Sequence, residues 1–447
     1  MKVVIVGGGN VGYTSAEALC KIHDVLIIEK DTVKADNIKS LLNVSVLHED
    51  GSNPKVLKAG IERMEADIIF AALPDDGLNL FIGMIAKRIK PSIKTVACLR
   101  NPDYEIKTDS EGIDIIISPE QIMAKKISKI ASLENVVQYD YLDNIGAAMV
   151  TFKVEKDHDI IGKVVMDINI PDNCTIVAIY RGDNVILDTE TAQIHVDDRI
   201  CMMGSIEAVE QFNRLMGIEK ETREYVIIGA TVSGIAIAKA LSTSGKRRFI
   251  KIIDKDEMNC RNASRALSDA IVVNADIADP LIMSGENIDR ADVIISVSPM
   301  DERNLLVCMA ALKFGTRKII TKYSTEEYEE IFKYAGIESI IGYHRVISNE
   351  ITKNLTYEEN VLLTLDHENE TLFGTLVDKK SAFVDRCLGD LKLPDGVCPV
   401  AVIRNGELIY PKMNTIFRIG DKVLIFTYNV NTVKLSKFIG HDTPLEM

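Results

Sequence analysis

Short continuous apolar runs alternate with amphipathic segments from the first residues of the chain. The runs VVIV, VLII and IIFAAL in the first part of the sequence contain no polar residue. A strand that is covered by helices on both faces requires this continuous apolar character. Between the runs, apolar residues recur with helical spacing. Strands that alternate with helices in this way predict a parallel, doubly wound sheet.

A helix that leaves this sheet is predicted after Ser118. Pro119 suits the first helical position, and Gln121 stands three residues after the serine, an arrangement that predicts a capping box. Beyond residue 138 the pattern changes to short strands and turns, with a hairpin predicted at Gly182 and Asp183. We therefore expect a second, smaller domain of β-rich character after the helix.

The whole pattern occurs twice along the chain. The segment around Gly7 returns around Gly229, and Asp198 of the small domain returns as Asp421. The predicted fold class is α/β, with two Rossmann-like doubly wound parallel-sheet domains, each followed by a small β-rich α+β domain. The four domains are predicted at 1–137, 140–218, 223–356 and 360–442.

Composition narrows the possible classes of function. The net charge of −14 over 447 residues argues against a nucleic-acid-binding protein with a broad basic surface. No apolar run approaches the roughly 18 residues of a membrane span, and no secretory leader is visible. The eight cysteines are widely spaced and form no C-x-x-C pair, which is typical of buried reduced thiols. We therefore expect a cytoplasmic protein with neither a metal site nor disulfides.

Gly7, Gly9 and Gly12 form G-x-G-x-x-G between the first strand and the first helix. The first glycine permits the tight turn, the second lets the backbone approach a pyrophosphate, and the third allows close packing of helix and strand. Glu29 ends the next strand about 20 residues after Gly9, where a carboxylate accepts hydrogen bonds from ribose hydroxyls. The motif favours NAD(H), or another unphosphorylated adenosine ribose, over NADP, although Lys30 could weaken that preference. The alternative is that the glycines serve only the turn and Glu29 is a solvated strand end.

Further loops follow the carboxyl ends of later strands, which is where ligands bind in such sheets. Their candidate residues are Asp50, Gly51 and Ser52 after the third strand, Leu73, Asp75 and Asn79 after the fourth, and Arg100 after the fifth. An arginine at that position could pair with a phosphate. A surface ion pair is the alternative for Arg100.

The second copy of the motif is incomplete. Gly229, Gly234 and the carboxylate of Asp254 remain, but Thr231 replaces the middle glycine, and its branched side chain would crowd a pyrophosphate. The counterpart of Arg100 is expected at Lys322 or Tyr323. We expect weak, altered or absent nucleotide binding in this half.

Two classes of function are compatible with a dinucleotide fingerprint. An NAD-dependent oxidoreductase would add a positioned acid or base near the nicotinamide. The small domains contain no clustered candidates for that role, and His158 and His195 suit structural positions better. Nucleotide sensing without catalysis therefore fits the sequence better, and the oxidoreductase remains the alternative.

Several segments together resemble one family. VVIVGGGNVG, DGSNPKVLKAGI, DDGLN and LRNPDYE, in this order and with the duplication, are similar to the TrkA family of cytoplasmic regulatory subunits of Trk-type potassium uptake systems, which are built from regulator-of-K⁺-conductance (RCK) domains. The resemblance covers essentially the full length. It implies binding of NAD⁺ or NADH, or of adenine nucleotides such as ATP and ADP.

The resemblance also implies particular binding residues. They are Gly7, Gly8, Gly9, Asn10 and Val11 for the pyrophosphate, Glu29 for the ribose, Asp50, Gly51, Ser52, Leu73 and Pro74 for the adenosine side, and Arg100 for the phosphates. Leu73 and Pro74 depart from the small hydroxylic residues that the family often has there. Gly229, Gly234 and Asp254 carry over to the second copy in the same way.

A partner and a mechanism are implied as well. The large domains would associate through exposed faces and through crossover helices, here from Ser118 to about Leu133 and from near Ser348 to Leu355, into a homo-oligomeric dimer or tetramer ring. The ring would lie against the inner face of the cell membrane, bound to an integral-membrane potassium-translocating subunit, and would change shape on nucleotide binding. A nucleotide sensor for another membrane protein, such as a cation/proton antiporter, is a further alternative.

Overall fold

The computed structural model describes residues 1–101, 112–143, 145–217, 224–243, 248–277, 282, 288–355, 361–364 and 370–440. The predicted domain boundaries at 218, 223, 356, 360 and 442 lie outside these residues, as do residues 102–105 of the LRNPDYE segment. The predicted boundary between 137 and 140 falls inside the strand Val136–Leu142. The four domain ranges stay predictions.

The first sheet has six parallel strands in the order β3-β2-β1-β4-β5-β6. The strands are β1 Lys2–Val6, β2 Asp24–Glu29, β3 Ser45–His48, β4 Ile68–Ala71, β5 Lys94–Cys98 and β6 Ile115–Ile117. The helices that alternate with them are α1 Asn10–Leu19, α2 Thr32–Leu41, α3 Pro54–Met64 and α4 Asp76–Ile89, with α5 Pro119–Ser132 after β6. This strand order places a topological switch point between β1 and β4.

Both faces of the first sheet are buried, as the continuous apolar runs predict. Alternate residues of β1 face opposite sides, so Val3 and Ile5 pack with α1 in one cluster while Val4 and Val6 pack with α3 and α4 in another. This arrangement confirms the doubly wound prediction for the first large domain.

A five-stranded antiparallel sheet follows, in the order β10-β9-β11-β8-β7. Its strands are β7 Val136–Leu142, β8 Ala147–Lys153, β9 Cys174–Arg181, β10 Asn184–Ile186 and β11 Arg199–Gly204, and helix α6 Ile206–Leu215 follows. The predicted hairpin is present, since Gly182 and Asp183 connect β9 to β10 with Gly182 at a φ of +57°.

The second half repeats both sheets. Its six-stranded sheet has the order β14-β13-β12-β15-β16-β17, and its five-stranded sheet has the order β18-β19-β22-β20-β21. The strands are β12 Glu224–Ile228, β13 Phe249–Asp254, β14 Ala270–Asn274, β15 Val293–Ser296, β16 Lys318–Tyr323, β17 Ser339–Gly342, β18 Val361–Thr364, β19 Glu370–Leu376, β20 Val397–Arg404, β21 Glu407–Ile409 and β22 Lys422–Tyr428. The described helices are α7 Val232–Ser242, α8 Glu257–Ala266, α9 Asp301–Phe314, α10 Glu327–Tyr334, α11 Tyr343–Leu355 and α12 Thr432–Ile439. The predicted fold class is confirmed in both halves.

The chain divides into two compact units that do not follow the halves of the sequence. The first unit is Met1–Ala124 with Tyr323–Glu326 and Ile341–Tyr357, and the second is Lys125–Lys322 with Glu327–Ile340 and Glu358–Met447. Helix α11 therefore belongs to the first unit, although it follows the second six-stranded sheet in sequence. Its Ile347, Ile351 and Leu355 lie in the core that covers one face of the first sheet.

Two local predictions differ from the structure. The capping box at Ser118 is wrong: the Oγ of Ser118 is buried without a hydrogen-bond partner among the described residues, and only the serine carbonyl accepts the N–H of Gln121. The helix nevertheless begins at Pro119, whose fixed φ suits a first turn without a side-chain cap. The second crossover helix begins at Tyr343, five residues before the predicted Ser348.

Candidate functional site

The turn between β1 and α1 depends on two of its glycines for geometry alone. Gly7 has a φ of +102°, a conformation that L side chains rarely adopt, and its N–H donates to the carbonyl of Ile28 at 2.9 Å. A Cβ on Gly12 would collide with the carbonyl oxygen of Gly7. The fold itself therefore requires glycine at both positions.

Gly9 is different, because the fold leaves space around it. A Cβ on Gly9 would meet no heavy atom within 4 Å in the described part of the chain, and its φ of −70° suits any residue. Gly9 is the N-cap of α1, and no side chain among the described residues caps that helix. Asn10 is exposed beside it, whereas the Val11 side chain lies in the core, so Val11 can offer a ligand only its main chain. The open amino end of α1 favours an anion.

Glu29 joins the end of β2 to the glycine turn. Its side chain is only 7% exposed, with Oε2 accepting the N–H of Gly8 at 2.5 Å and Oε1 accepting the N–H of Asp31 at 2.8 Å. A Cβ on Gly8 would crowd Ile38 as well as Glu29. Glu29 is therefore not a solvated strand end, and it holds the loop while presenting acceptor oxygens at the sheet edge.

The loop after β3 also lies against the end of β1. A Cβ on Gly51 would collide with Val6, so the glycine permits this close approach. Oδ1 of Asp50 accepts the Ser52 N–H at 2.9 Å and the Ser52 hydroxyl at 2.7 Å. These hydrogen bonds lower the pKa of Asp50, which keeps an exposed carboxylate at this edge of the sheet.

The loop after β4 is clamped by a buried side chain. Asn79 accepts the N–H of Leu73 at 2.8 Å, donates to the Leu73 carbonyl at 2.9 Å and donates to the Cys98 carbonyl at 2.8 Å. The clamp fixes Leu73 beside Gly7, where Cδ2 of Leu73 would lie 2.9 Å from a Cβ on the glycine. Pro74 is exposed next to it. This loop therefore offers a ligand apolar surface and main-chain groups.

Arg100 is exposed after β5, and its main chain is held by a residue that sequence reasoning missed. The Asp76 carboxylate accepts the N–H of Arg100 at 3.0 Å and that of Asn101 at 2.9 Å. The neighbouring Asp75 caps α4 by accepting the N–H of Leu78 at 2.8 Å. The sequence signal for this contact was the pair of adjacent aspartates. One carboxylate suffices to cap α4, so the other can accept hydrogen bonds from the loop that follows β5.

The second half reproduces the same frame around Gly229. The φ of Gly229 is +113°, and a Cβ on Gly234 would collide with the Gly229 carbonyl oxygen. Oδ2 of Asp254 accepts the N–H of Ala230 at 2.8 Å, and Oδ1 accepts that of Asp256 at 2.9 Å. These contacts match those of Glu29. Asn304 repeats the Asn79 clamp, since it accepts the N–H of Ser298 at 2.9 Å and donates to the Lys322 carbonyl at 3.1 Å.

Thr231 changes the amino end of α7. Its Oγ1 caps the helix by accepting the N–H of Gly234 at 3.4 Å. A side chain of the protein therefore occupies the position that Gly9 leaves open in the first half.

The counterpart of Arg100 was predicted wrongly. Ala71 and Ser296 end equivalent strands, and they pair with Ala97 and Thr321, respectively. Arg100 and Ser324 each lie three residues after these partners, so Ser324 is the residue equivalent to Arg100. The second copy has extra residues between its first two strands, β12 and β13. A position counted from Gly229 therefore does not identify the equivalent of Arg100.

The edge with Gly9, Glu29, Asp50 and Leu73 can bind an anion at a helix amino terminus beside a carboxylate. The described residues contain no cluster of three or more His, Cys, Asp or Glu side chains placed to hold a metal ion. Among the helices of the described ranges, none has the length and apolar character needed to cross a bilayer.

Comparison with known proteins finds two kinds of domain, each of which matches the chain twice. The TrkA-N domain matches residues 3–119 and 225–343, and the TrkA-C domain matches residues 149–217 and 374–440. The Trk system potassium uptake protein TrkA homolog 1 of Methanosarcina mazei is 28% identical, over 98% of this chain and 100% of its own. The crystal structure of the GsuK RCK domain has a TM-score of 0.66 at 17% identity and covers 98% of this chain and 94% of its own. The GsuK channel bound to NAD has a TM-score of 0.65 at 16% identity and covers 98% of this chain and 78% of its own.

The solved structures support the fold, and the domain matches decide the family. The two TrkA-N matches alone cover more than half of the chain, and each is followed by a TrkA-C match. The tandem arrangement that the repeat predicts is thereby confirmed, and the chain belongs to the TrkA family.

Proposed function

We propose that this chain is the cytoplasmic, nucleotide-sensing regulatory subunit of a Trk-type potassium transporter. It binds NAD(H) or an adenine nucleotide at the edge around Gly9 and gates a membrane pore. The relative from Methanosarcina mazei is named as a potassium uptake protein and matches along its whole length, which supports a role of the same kind.

The observation that carries the proposal is the difference among the three glycines. Gly7 and Gly12 are needed for the turn, but Gly9 has open space and an uncapped helix in front of it. A motif that served only the fold would not require glycine there. A pyrophosphate that approaches the main chain closely accounts for it.

The carboxylates at this edge favour a ribose without a 2′-phosphate. Glu29 and Asp50 would repel a 2′-phosphate and accept hydrogen bonds from ribose hydroxyls. The GsuK channel, which has the same fold, has been solved bound to NAD. We assign the pyrophosphate to the turn from Gly7 to Gly12, the ribose to Glu29 and the adenosine side to the Asp50 and Leu73 loops, with Arg100 near the phosphates.

The second half has a weaker site or none. Gly229, Gly234 and Asp254 keep the shape of the turn, but Thr231 fills the position of Gly9 and caps α7. Ser324 also replaces Arg100, which removes a cation from this edge. Sensing is therefore assigned to the first half, and the second half contributes mainly to assembly.

Exposed apolar side chains at matched positions support a homo-oligomer, either a dimer or a tetramer ring. Phe81 and Met84 of α4 are 42% and 47% exposed, and Leu306 and Met309 at the matching positions of α9 are 64% and 52% exposed. Residues three apart lie on one helical face. Both copies keep this apolar face in solvent, which indicates a protein interface.

An NAD-dependent oxidoreductase is the alternative from another class. His158 does not suit catalysis, because Nδ1 accepts the Glu155 N–H at 3.0 Å, Nε2 lies 3.1 Å from Oδ1 of Asn135, and burial lowers the pKa of the ring. Steady oxidation of NADH with carbonyl substrates would favour the enzyme. The regulatory function predicts binding without turnover.

The direct test of the partner is co-purification with the potassium-translocating subunit of the same organism. We expect the tagged chain to retain that subunit, and potassium flux in vesicles containing both to differ between NADH and ADP. A chain that retains no membrane subunit under any nucleotide condition would refute the regulatory function. Retention of a cation/proton antiporter instead would identify the other transporter class.

A further inference from the structure

Lys318 binds the carboxyl end of α5. This residue begins β16 and is only 9% exposed. Its Nζ donates to the carbonyls of Ile130 at 2.5 Å, Leu133 at 2.6 Å and Glu134 at 3.2 Å. All four residues belong to the second unit.

Ile130 lies in the last turn of α5, and Leu133 and Glu134 directly follow its last residue, Ser132. The last carbonyls of a helix lack intrahelical partners and carry the negative end of its dipole. A lysine amine without such acceptors would be costly to bury. Arg317 adds an ion pair to Glu134 at 2.9 Å, and Lys126 of the helix pairs with Asp140 of β7 at 2.9 Å. The part of α5 that belongs to the second unit is therefore held by several contacts within that unit.

The first unit contains a smaller version of the same contact. Lys94 begins β5, and its Nζ donates to the carbonyl of Asn354 in α11 at 3.2 Å. Lys94 pairs with the first residue of β4 as Lys318 pairs with the first residue of β15, so the two lysines occupy equivalent positions. Lys94 belongs to the first six-stranded sheet and contacts the end of α11, the helix that follows the second. Lys318 belongs to the second six-stranded sheet and contacts the end of α5, the helix that follows the first. Lys94 is exposed and contacts one carbonyl, whereas Lys318 is buried and contacts three.

We propose that Lys318 is a positioning residue that fixes α5 so that nucleotide binding at the first site is transmitted to the second unit. The proposal rests on the nucleotide-sensing function above. Helix α5 begins directly after β6 of the first sheet, and residues up to Ala124 belong to the first unit, while those from Lys125 belong to the second. A helix fixed at its carboxyl end transmits a displacement of its amino end, whereas a frayed end absorbs it.

The test is hydrogen exchange of the full chain with and without NADH. The variants are Lys318→Met, Lys318→Arg and, as the matched control, Lys94→Met. In the wild type, NADH should slow exchange both at residues 7–12 and at residues 125–143. In Lys318→Met the change at 7–12 should persist, with NADH affinity within about threefold of wild type, while the change at 125–143 is lost.

The other variants separate transmission from a structural defect. Lys318→Arg keeps donors for the three carbonyls and should restore most of the change at 125–143. Lys94→Met should leave that change intact, since it removes only an exposed contact in the first unit. An unchanged response at 125–143 in Lys318→Met, or no rescue by arginine, would overturn the proposal.

Wild-type measurements keep the test decisive if Lys318→Met does not fold. Slow exchange of residues 129–133 in the wild type is then expected, and exchange as fast as that of a frayed helix end would overturn the proposal. Absence of any NADH effect at 7–12 in the wild type would instead refute the nucleotide site itself.

Discussion

Gly9 and Gly12 lie three residues apart in the same turn, but different constraints require them to be glycine. We predict that Gly12→Ala lowers the free energy of unfolding by about 3 kcal/mol, because its Cβ would collide with the Gly7 carbonyl oxygen. Gly9→Ala should cost less than about 1 kcal/mol, because the space is open. Urea denaturation of both variants measures the difference. Equal losses of stability would show that Gly9 is also required by the fold.

Lys318 makes the stability of the chain depend on pH. Burial lowers the pKa of Lys318 to about 7, and repulsion from Arg317 is the second-largest cause of this shift. The carboxylates of Glu134, Glu155 and Glu338 raise the pKa but offset the shift only in part. Between about 7 and the ordinary lysine value of 10.5 the unfolded chain binds a proton that the folded chain does not. The free energy of unfolding should therefore rise with pH in this window.

The comparison with Lys318→Met isolates this effect, because other titrating groups cancel in the difference between the two proteins. We predict that the wild type gains about 1.4 kcal/mol per pH unit relative to the variant above pH 7. Denaturant titrations at three pH values between about 7 and 9 measure it. A difference that is constant with pH would mean that Lys318 stays charged throughout.

Among the elements, an ion pair joins Arg404, the last residue of β20, to Asp421, which directly precedes β22; the carboxylate is buried and the guanidinium is partly exposed. Nε and Nη2 of Arg404 donate to Asp421 at 2.8 Å and 2.7 Å, and the Arg418 N–H donates to the same carboxylate at 2.7 Å. Burial alone would raise the pKa of Asp421, but these hydrogen bonds outweigh it and hold the pKa below the ordinary 3.8. The pair therefore stabilises the sheet above that value and weakens as the pH falls below it.

We predict that Asp421→Asn lowers the free energy of unfolding by about 2–3 kcal/mol at neutral pH, because the Arg404 guanidinium loses its partner. The difference in the free energy of unfolding between Asp421→Asn and the wild type should shrink as the pH falls below 3.8, the ordinary pKa of an aspartate in the unfolded chain. Asp395 is exposed, so Asp395→Asn serves as the control and should have little effect on the free energy of unfolding. A loss of stability that is the same at acidic and neutral pH would contradict the assigned role of the ion pair.

The element pattern was predictable where local physics decides it. Continuous apolar runs identified the buried strands, and Glu29 and Asp254 marked the strand ends that accept from the glycine turns. The missed features depend on contacts that sequence spacing does not reveal. Asp76 acts on a loop more than twenty residues away, and the hydroxyl of Thr231 caps a helix, whereas the sequence predicted only that its side chain would crowd a pyrophosphate.

At the scale of the whole molecule, the sequence did not predict which sheet α11 covers. The amphipathic pattern of α11 shows that the helix buries one face, but not which sheet it covers, and the structure places it on the first sheet. The large–small–large–small order of domains was predictable, because each half contains the same motifs in the same order.

The exposed apolar faces of α4 and α9 predict the behaviour of the protein in solution. We expect the double variant Met84→Glu with Met309→Glu to shift the chain to a smaller species in light scattering coupled to size exclusion, because each glutamate adds charge to an apolar interface. Met166→Glu is the matched control, since Met166 is an exposed methionine of the first small domain. The same mass for the double variant and the wild type would exclude these faces as the interface.

The central claim is that the first glycine turn binds a nucleotide tightly, while the second binds it more weakly or not at all. Calorimetric titration of NADH into the wild type, Gly9→Val and Thr231→Val tests it most directly. We predict one tightly bound NADH per chain for the wild type and for Thr231→Val, and a loss of more than about a hundredfold in affinity for Gly9→Val, whose free energy of unfolding should fall by only about 1 kcal/mol. Wild-type affinity in Gly9→Val, or two NADH bound with equal affinity per wild-type chain, would contradict the account.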